Sequence, residues 1–119
     1  MSKLKPASVE RVLQAAHYSW QGLRAAWKYE RAFRDEVIVL IILAPIAWAV
    51  GDNAFERILL IGSWLGVLII ELVNSSIEAV VDRASPEHNE LAGRAKDLGS
   101  AAVFMAMVLS ALIWVALLV

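Results

Sequence analysis

Apolar residues along this chain fall into three long blocks, preceded by one periodic stretch. Leu98 to Val119 runs 22 residues without a charge, enough for a helix to cross a bilayer core of about 30 Å. Ile58 to Val81 covers 24 largely apolar residues, with Glu71, Asn74, Ser75, Ser76 and Glu78 clustered in its second half. Val37 to Val50 is uncharged for only 14 residues and carries Pro45. It reaches a spanning length if its helix begins near Ala32, with Arg34, Asp35 and Glu36 at the interface. Upstream, Val9, Leu13, Ala16, Trp20, Leu23 and Trp27 recur at helical spacing, while Arg11, Gln14, Tyr18, Gln21, Arg24 and Lys28 share the other side. Ser8 is the expected N-cap, with Pro6 just outside it. Trp and Leu on one face and Arg and Lys on the other suit a helix lying in a membrane interface. The pattern therefore predicts an all-α membrane protein: one domain over 1–119, an interfacial helix over 8–30 and transmembrane helices over 32–50, 58–81 and 98–119.

Composition points the same way. Of 119 residues, 60% are hydrophobic and 19% charged, with a mean hydropathy of +0.62. Soluble domains are about 45–50% apolar, and one this small buries a modest share of its surface, so the excess must face lipid. A net charge of -1 gives a nucleic-acid partner no electrostatic support. With no cysteine there is no disulfide framework, thiolate nucleophile or Cys-ligated zinc. Met1 to Pro6 is basic but leads into an amphipathic stretch, not the apolar core of a cleavable signal. Seven of the eleven basic residues precede the first block, one lies in Gly51 to Arg57 and three in Asp82 to Asp97. By the positive-inside rule the N-terminus and the second loop are cytoplasmic, and the first loop and C-terminus lie outside.

The candidate chemistry sits inside the second block. Glu71, Asn74, Ser75, Glu78 and Asp82 share one helical stripe, with Glu71 and Glu78 two turns, about 10.5 Å, apart. An intramembrane charge costs roughly 2.5–3.5 kcal/mol on insertion scales for Asp, Lys or Arg at a helix centre, so such residues face a bundle interior or a polar cavity. The stripe is either a polar seam joining helices or a site for a cation. Arg94-Ala-Lys96-Asp97, before the third block, reads as a cytoplasmic anchor or as a phosphate site, since Lys neutralises phosphate as a point charge. There is no Walker A or glycine-rich kinase loop, so phosphate chemistry here requires another type of site. His17 and His88 are isolated and lack metal-ligand spacing. Gly62-Ser-Trp-Leu-Gly66 and the row Ala102, Ala106, Ser110 fit close helix packing.

Glu71-Leu-Val-Asn-Ser-Ser-Ile-Glu-Ala-Val-Val-Asp82-Arg83, followed by Glu90-Leu-Ala-Gly-Arg-Ala-Lys-Asp-Leu-Gly-Ser-Ala-Ala-Val103, closely resembles the bacterial integral-membrane diacylglycerol kinases. Ala15-Ala-His-Tyr-Ser-Trp-Gln-Gly-Leu-Arg-Ala-Ala-Trp27, with Glu30 and Ala32-Phe-Arg34, resembles the same family's N-terminal surface helix. The resemblance implies a homotrimeric bundle in the bacterial inner membrane, with sites shared between subunits at the cytoplasmic interface. It implies transfer of the γ-phosphate of MgATP to diacylglycerol, giving phosphatidic acid, with Mg²⁺ as cofactor and ATP, diacylglycerol, membrane lipids and other copies of the chain as partners. By position, Glu71 matches the proton acceptor and Glu30 and Glu78 the metal ligands; apart from the resemblance, Asn74, one turn along from Glu71, is placed to orient its carboxylate by hydrogen bonding. Arg11, Tyr18, Glu30, Glu78, Glu87, His88, Asn89, Lys96 and Asp97 match nucleotide contacts. Arg11, Ser19, Trp20, Arg24, Trp27, Glu71, Ser100 and Trp114 match the lipid side. The chain departs from the family pattern at Pro86 and at Asn89, where relatives commonly carry histidine, so the nucleotide contacts of that loop are its least transferable part.

Elementary chemistry agrees with this reading. Phosphoryl transfer needs positioning, neutralised phosphate charge and a group to take the hydroxyl proton. Carboxylates holding Mg²⁺ near a lysine supply those parts. Two other readings share the pattern. One is an undecaprenol kinase of the same architecture; the other is a non-enzymatic oligomer, an ion pathway or scaffold, built around Glu71, Asn74 and Glu78. An ion pathway has no need of Glu30 or of the Lys96-Asp97 pair.

Overall fold

Helix-forming sequence occupies almost the whole chain, and the breaks between helices are short. The computed structural model describes residues 6–119 and is helical throughout: α1 (Pro6–Tyr29), α2 (Arg31–Val50), α3 (Ala54–Ala84) and α4 (Glu90–Leu118). Among the described residues α1 already includes Pro6 to Ser8, so Ser8 is not its N-cap. Glu30 alone separates α1 from α2, in extended conformation (φ -112°, ψ 104°). The Arg34 guanidinium brackets this break, donating from Nη1 to the carbonyls of Trp27 (2.7 Å) and Lys28 (3.2 Å). It thereby satisfies carbonyls that the end of α1 leaves without intrahelical donors.

The α2–α3 turn is tight. Asn53 Oδ1 accepts from the Glu56 N–H and Glu56 Oε1 from the Asp52 N–H, both at 2.9 Å, a reciprocal cap for α3. Arg57 folds back so that its guanidinium carbon lies 4.6 Å from the centre of the Trp48 ring. A Cβ on Gly51 would sit 2.7 Å from the Arg57 stem, so only glycine admits that approach.

Helices α3 and α4 pack along their length, α2 lies against α3, and α1 meets the others only near its C-terminal end. Cross-helix hydrogen bonds punctuate these seams: Ser63 Oγ to Ser110 Oγ at 2.8 Å, Trp114 Nε1 donating to the Leu60 carbonyl at 3.1 Å, and Trp64 Nε1 to the Glu36 carbonyl at 2.9 Å. Between apolar helices in lipid such contacts add about 0.6 kcal/mol each, and close packing supplies the rest. The packing row on α4 runs Gly99, Val103, Ser110, whereas Ala102 is exposed. The Gly62–Gly66 pair, expected to serve close packing, has open space where a Cβ would stand.

Molecular dimensions of 49 × 49 × 21 Å show that α1 runs across the bundle and not along it, since parallel helices would give a single long axis. Its apolar face is uncovered, with Trp20 60% and Leu13 64% exposed. Of the three expected spans, α3 and α4 are long and apolar enough to cross a membrane; α2 is not by the same measure, because Arg34, Asp35 and Glu36 fall within its first two turns.

Candidate active site

The polar stripe of α3 faces into the protein. Glu71 and Asn74, one turn apart, are buried at 6% and 7% exposure, and Glu78 is half-buried one turn further on. They line one wall of a cleft of about 380 Å³, with Glu30 at the α1–α2 break and Ser100 on α4. Asn74 gets so deep because its carboxamide lies against Gly99, where any side chain would overlap it. Ser75 Oγ reaches Glu71 Oε2 at 3.5 Å.

Glu36 joins this cleft from α2. It is 5% exposed, with its carboxyl against that of Glu71. Its neighbour Asp35 points outward to a loose pairing with Arg31 at 4.0 Å. Among the described residues Glu36 Oε1 and Asn74 Oδ1 are buried without a hydrogen-bond partner, which leaves two acceptors lining the cleft beside Glu71.

One turn beyond Glu78, Asp82 continues the stripe and pairs with Lys96 of α4 at 2.6 Å. Hydrogen bonding and charge from Asp82 raise the Lys96 pKa above its ordinary value, so the ammonium stays protonated well into the alkaline range. The pair edges a second concavity of about 300 Å³, which also takes in Ser85, Glu87, His88 and Asp97. The two concavities share no lining residue, but Lys96 lies close enough to Glu78 for each to influence the other's charge.

Two further grooves flank α1. Ser19, Leu72 and Ser75 share one of about 540 Å³ with Glu30, which thus stands in the wall between it and the acidic cleft. Trp20, Arg24, Trp27, Lys28, Phe33 and Val37 line another of about 640 Å³, apolar in its walls and cationic at its edge. Such a combination suits an acyl chain with an anionic or polar head.

Not every expected site residue converges. Trp114 donates to the Leu60 carbonyl, eleven residues or about 16 Å along α3 from Glu71. Arg11 lies eighteen residues, about 27 Å, before the end of α1 and lines none of these concavities, and Tyr18 is exposed beside His17. Among the described residues no three acidic or histidine side chains gather as a closed metal site. Four carboxylates, Glu30, Glu36, Glu71 and Glu78, nevertheless line one cleft, a donor set that fits a divalent cation completed by ligands from outside the chain.

The family model for prokaryotic diacylglycerol kinase matches residues 17–118. The chain belongs to the prokaryotic diacylglycerol kinase family. It is 50% identical over 108 residues to the diacylglycerol kinase of Escherichia coli strain K12, covering 91% of this chain and 88% of that protein. Identity to the diacylglycerol kinase of Haemophilus influenzae is 44% over 110 residues, 92% of this chain and 93% of the relative. The Pseudomonas aeruginosa diacylglycerol kinase is 43% identical over 110 residues, 92% and 89% respectively. The stretch matched by the diacylglycerol kinase model contains both concavities and both grooves, while Arg11 precedes it.

Sequence reasoning within this family missed Glu36, having grouped it with Arg34 and Asp35 as an interfacial charge. One signal was available: Phe33, Glu36 and Leu40 follow helical spacing on the face that meets α3, whereas Asp35 does not.

Proposed function

We propose that this chain transfers the γ-phosphate of ATP to the hydroxyl of diacylglycerol, yielding phosphatidic acid and ADP. The observation that carries the reading is the buried Glu71–Asn74 pair in a cleft walled by Glu30 and Glu78, on an α3 stripe that continues to Asp82 and its ion pair with Lys96 of α4. The lipid hydroxyl oxygen attacks the γ-phosphorus, its proton passes to the Glu71 carboxylate, and the bond from the γ-phosphorus to the β-bridging oxygen breaks to release ADP. Asn74 holds the Glu71 carboxylate in place. Glu30 and Glu78 would hold Mg²⁺, whose charge would offset that of the phosphates. Lys96 adds a cation to the departing phosphates, and Glu87, His88 and Asp97 frame the rest of the nucleotide beside it, with Tyr18 and Arg11 from α1. Ser19, Trp20, Arg24, Trp27 and Ser100 line the lipid's approach to Glu71.

The chain works as a homotrimer with shared sites. Arg11 stands too far from the cleft of its own chain to serve it, and a neighbouring copy brings it there; Trp114 lies at the depth of Leu60, which rotation about the membrane normal leaves unchanged, so it meets the lipid away from Glu71. The cleft is also bounded by Ser100, Phe104 and Met107 on α4, and the exposed Phe104 gives a second copy a surface to close against. In the bacterial inner membrane α2 is the third span, because its most central charge, Glu36, is buried against protein and not lipid. The N-terminus is cytoplasmic and the C-terminus periplasmic. Diacylglycerol is favoured over undecaprenol because the family and the relatives above carry the former in their names. Purified protein in mixed micelles with ATP labelled at the γ-phosphate is expected to label diacylglycerol in preference to undecaprenol. Label on undecaprenol alone, or on neither alcohol, overturns the assignment.

A further inference from the structure

The five residues joining α3 to α4, Ser85-Pro86-Glu87-His88-Asn89, are tied to themselves. Ser85 Oγ donates to the Glu87 carbonyl at 3.0 Å and accepts from Asn89 Nδ2. The other end of the Asn89 carboxamide, Oδ1, accepts from the Ala92 N–H at 2.8 Å and caps α4. The backbone closes both flanks, with Ser85 N–H on the Val81 carbonyl at 2.8 Å and Gly93 N–H on that of Asn89 at 3.0 Å. Pro86 fixes one further backbone angle. The His88 ring rests near Gly93, where an added Cβ would lie 3.7 Å from its Cε1. Both ends of the Asn89 side chain are therefore engaged within the loop, while Glu87 and His88 are left facing the concavity shared with Lys96 and Asp97.

We infer that Ser85, at the edge of this concavity, and Asn89, outside its lining, form a clasp that pre-shapes the loop for the nucleotide, both acting as positioning residues for Glu87 and His88. The inference rests on the reading of that concavity as the nucleotide site. A loop already held in its binding shape loses less freedom when the ligand arrives, so the effect belongs in ATP affinity and not in the chemical step.

Three variants separate the clasp from the cap. Ser85→Ala removes the clasp and leaves the Asn89 cap. Asn89→Asp keeps a capping oxygen but loses the donor to Ser85. The double variant breaks the same link twice. Loss of one such hydrogen bond corresponds to roughly a three- to tenfold change. Ser85→Ala is expected to raise the KM for ATP by about that factor, with kcat, KM for diacylglycerol and melting temperature near those of the parent. Asn89→Asp raises the KM for ATP at least as much, and adding Ser85→Ala to it raises KM no further. A Ser85→Ala protein with the parental KM for ATP overturns the clasp, as does a double variant whose KM multiplies the two single effects. Failure of the parent protein to transfer γ-phosphate at all would instead remove the kinase reading on which the clasp rests.

Discussion

Gly99→Ala tests how the site is built more sharply than removal of a charged group does. One added carbon at this position overlaps the Asn74 carboxamide oxygen and lies 3.1 Å from its carbon, on the buried seam between α3 and α4. Overpacking of this kind costs about 1–3 kcal/mol. Alanine in place of glycine within a helix returns about 0.8–1.0 kcal/mol. The two largely offset, which leaves a net loss of roughly 0–2 kcal/mol. The side chain best able to yield is Asn74 itself, which turns away and gives up the orienting role toward Glu71 proposed above. Gly99→Ala should therefore unfold only slightly more readily in a denaturant titration of the protein in micelles, yet lose at least about tenfold in kcat, near 1.4 kcal/mol of transition-state stabilisation. The stability part is checked by a double-mutant cycle with Asn74→Ala. Once the carboxamide is gone the added methyl meets no obstacle, so Gly99→Ala becomes neutral or stabilising in that background, with a coupling of about 0.5–3 kcal/mol. Parental turnover in Gly99→Ala, or strict additivity in the cycle, would refute the packing of Asn74 against α4 as the device that positions Glu71.

Glu71→Gln keeps the size and hydrogen-bonding capacity of the side chain but cannot accept the hydroxyl proton. Turnover should fall by about 10²–10⁴-fold with ATP affinity little changed, and retention of more than about a tenth of the rate would count against the base role. Glu30→Gln and Glu78→Gln should each weaken the Mg²⁺ dependence of nucleotide binding, and an unaltered Mg²⁺ titration in both would take them off the ligand list. Mixing Glu71→Gln subunits with subunits disabled by Arg11→Ala should restore part of the activity if sites combine neighbouring chains; rescue by no mixture would confine each site to one chain. A reporter fused after Val119 that is active only in the periplasm is expected, and activity only in the cytoplasm would reverse the orientation.

The all-helical class was legible because helical periodicity and long uncharged blocks are local properties of the chain. The Glu71, Asn74, Glu78 stripe was legible for the same reason, since residues three, four and seven apart share a face of any helix. What each stripe faces is not local. Glu36 was read as interfacial because sequence alone does not say which side of α2 meets α3, and the structure divides the adjacent acids, burying Glu36 and exposing Asp35. The glycines show the same limit: Gly62–Gly66 matches a packing motif and meets nothing within the chain, while Gly99, outside any such motif, is where two helices close on the site. Asn89 was placed among the nucleotide contacts by resemblance; its engagement with Ser85 and Ala92 depends on where the loop returns, which no spacing rule encodes.

The single-residue break at Glu30, bracketed by Arg34, has a consequence for what the bilayer presents to the site. A linker of several residues would let α1 float with the headgroup layer, whereas one extended residue with its flanking carbonyls tied down gives no slack. The surface helix and the floor of the cleft are thereby held at a set separation, like the foot and probe of a depth gauge resting on the membrane. With Glu71 as the proposed proton acceptor and α1 lying in the membrane surface, an alcohol would meet Glu71 only if its hydroxyl hangs at that depth below the plane of Trp20 and Trp27. Selection among lipids then depends on how each molecule seats itself in the membrane as much as on any contact in the pocket, and changing bilayer thickness should re-rank substrates without altering a residue.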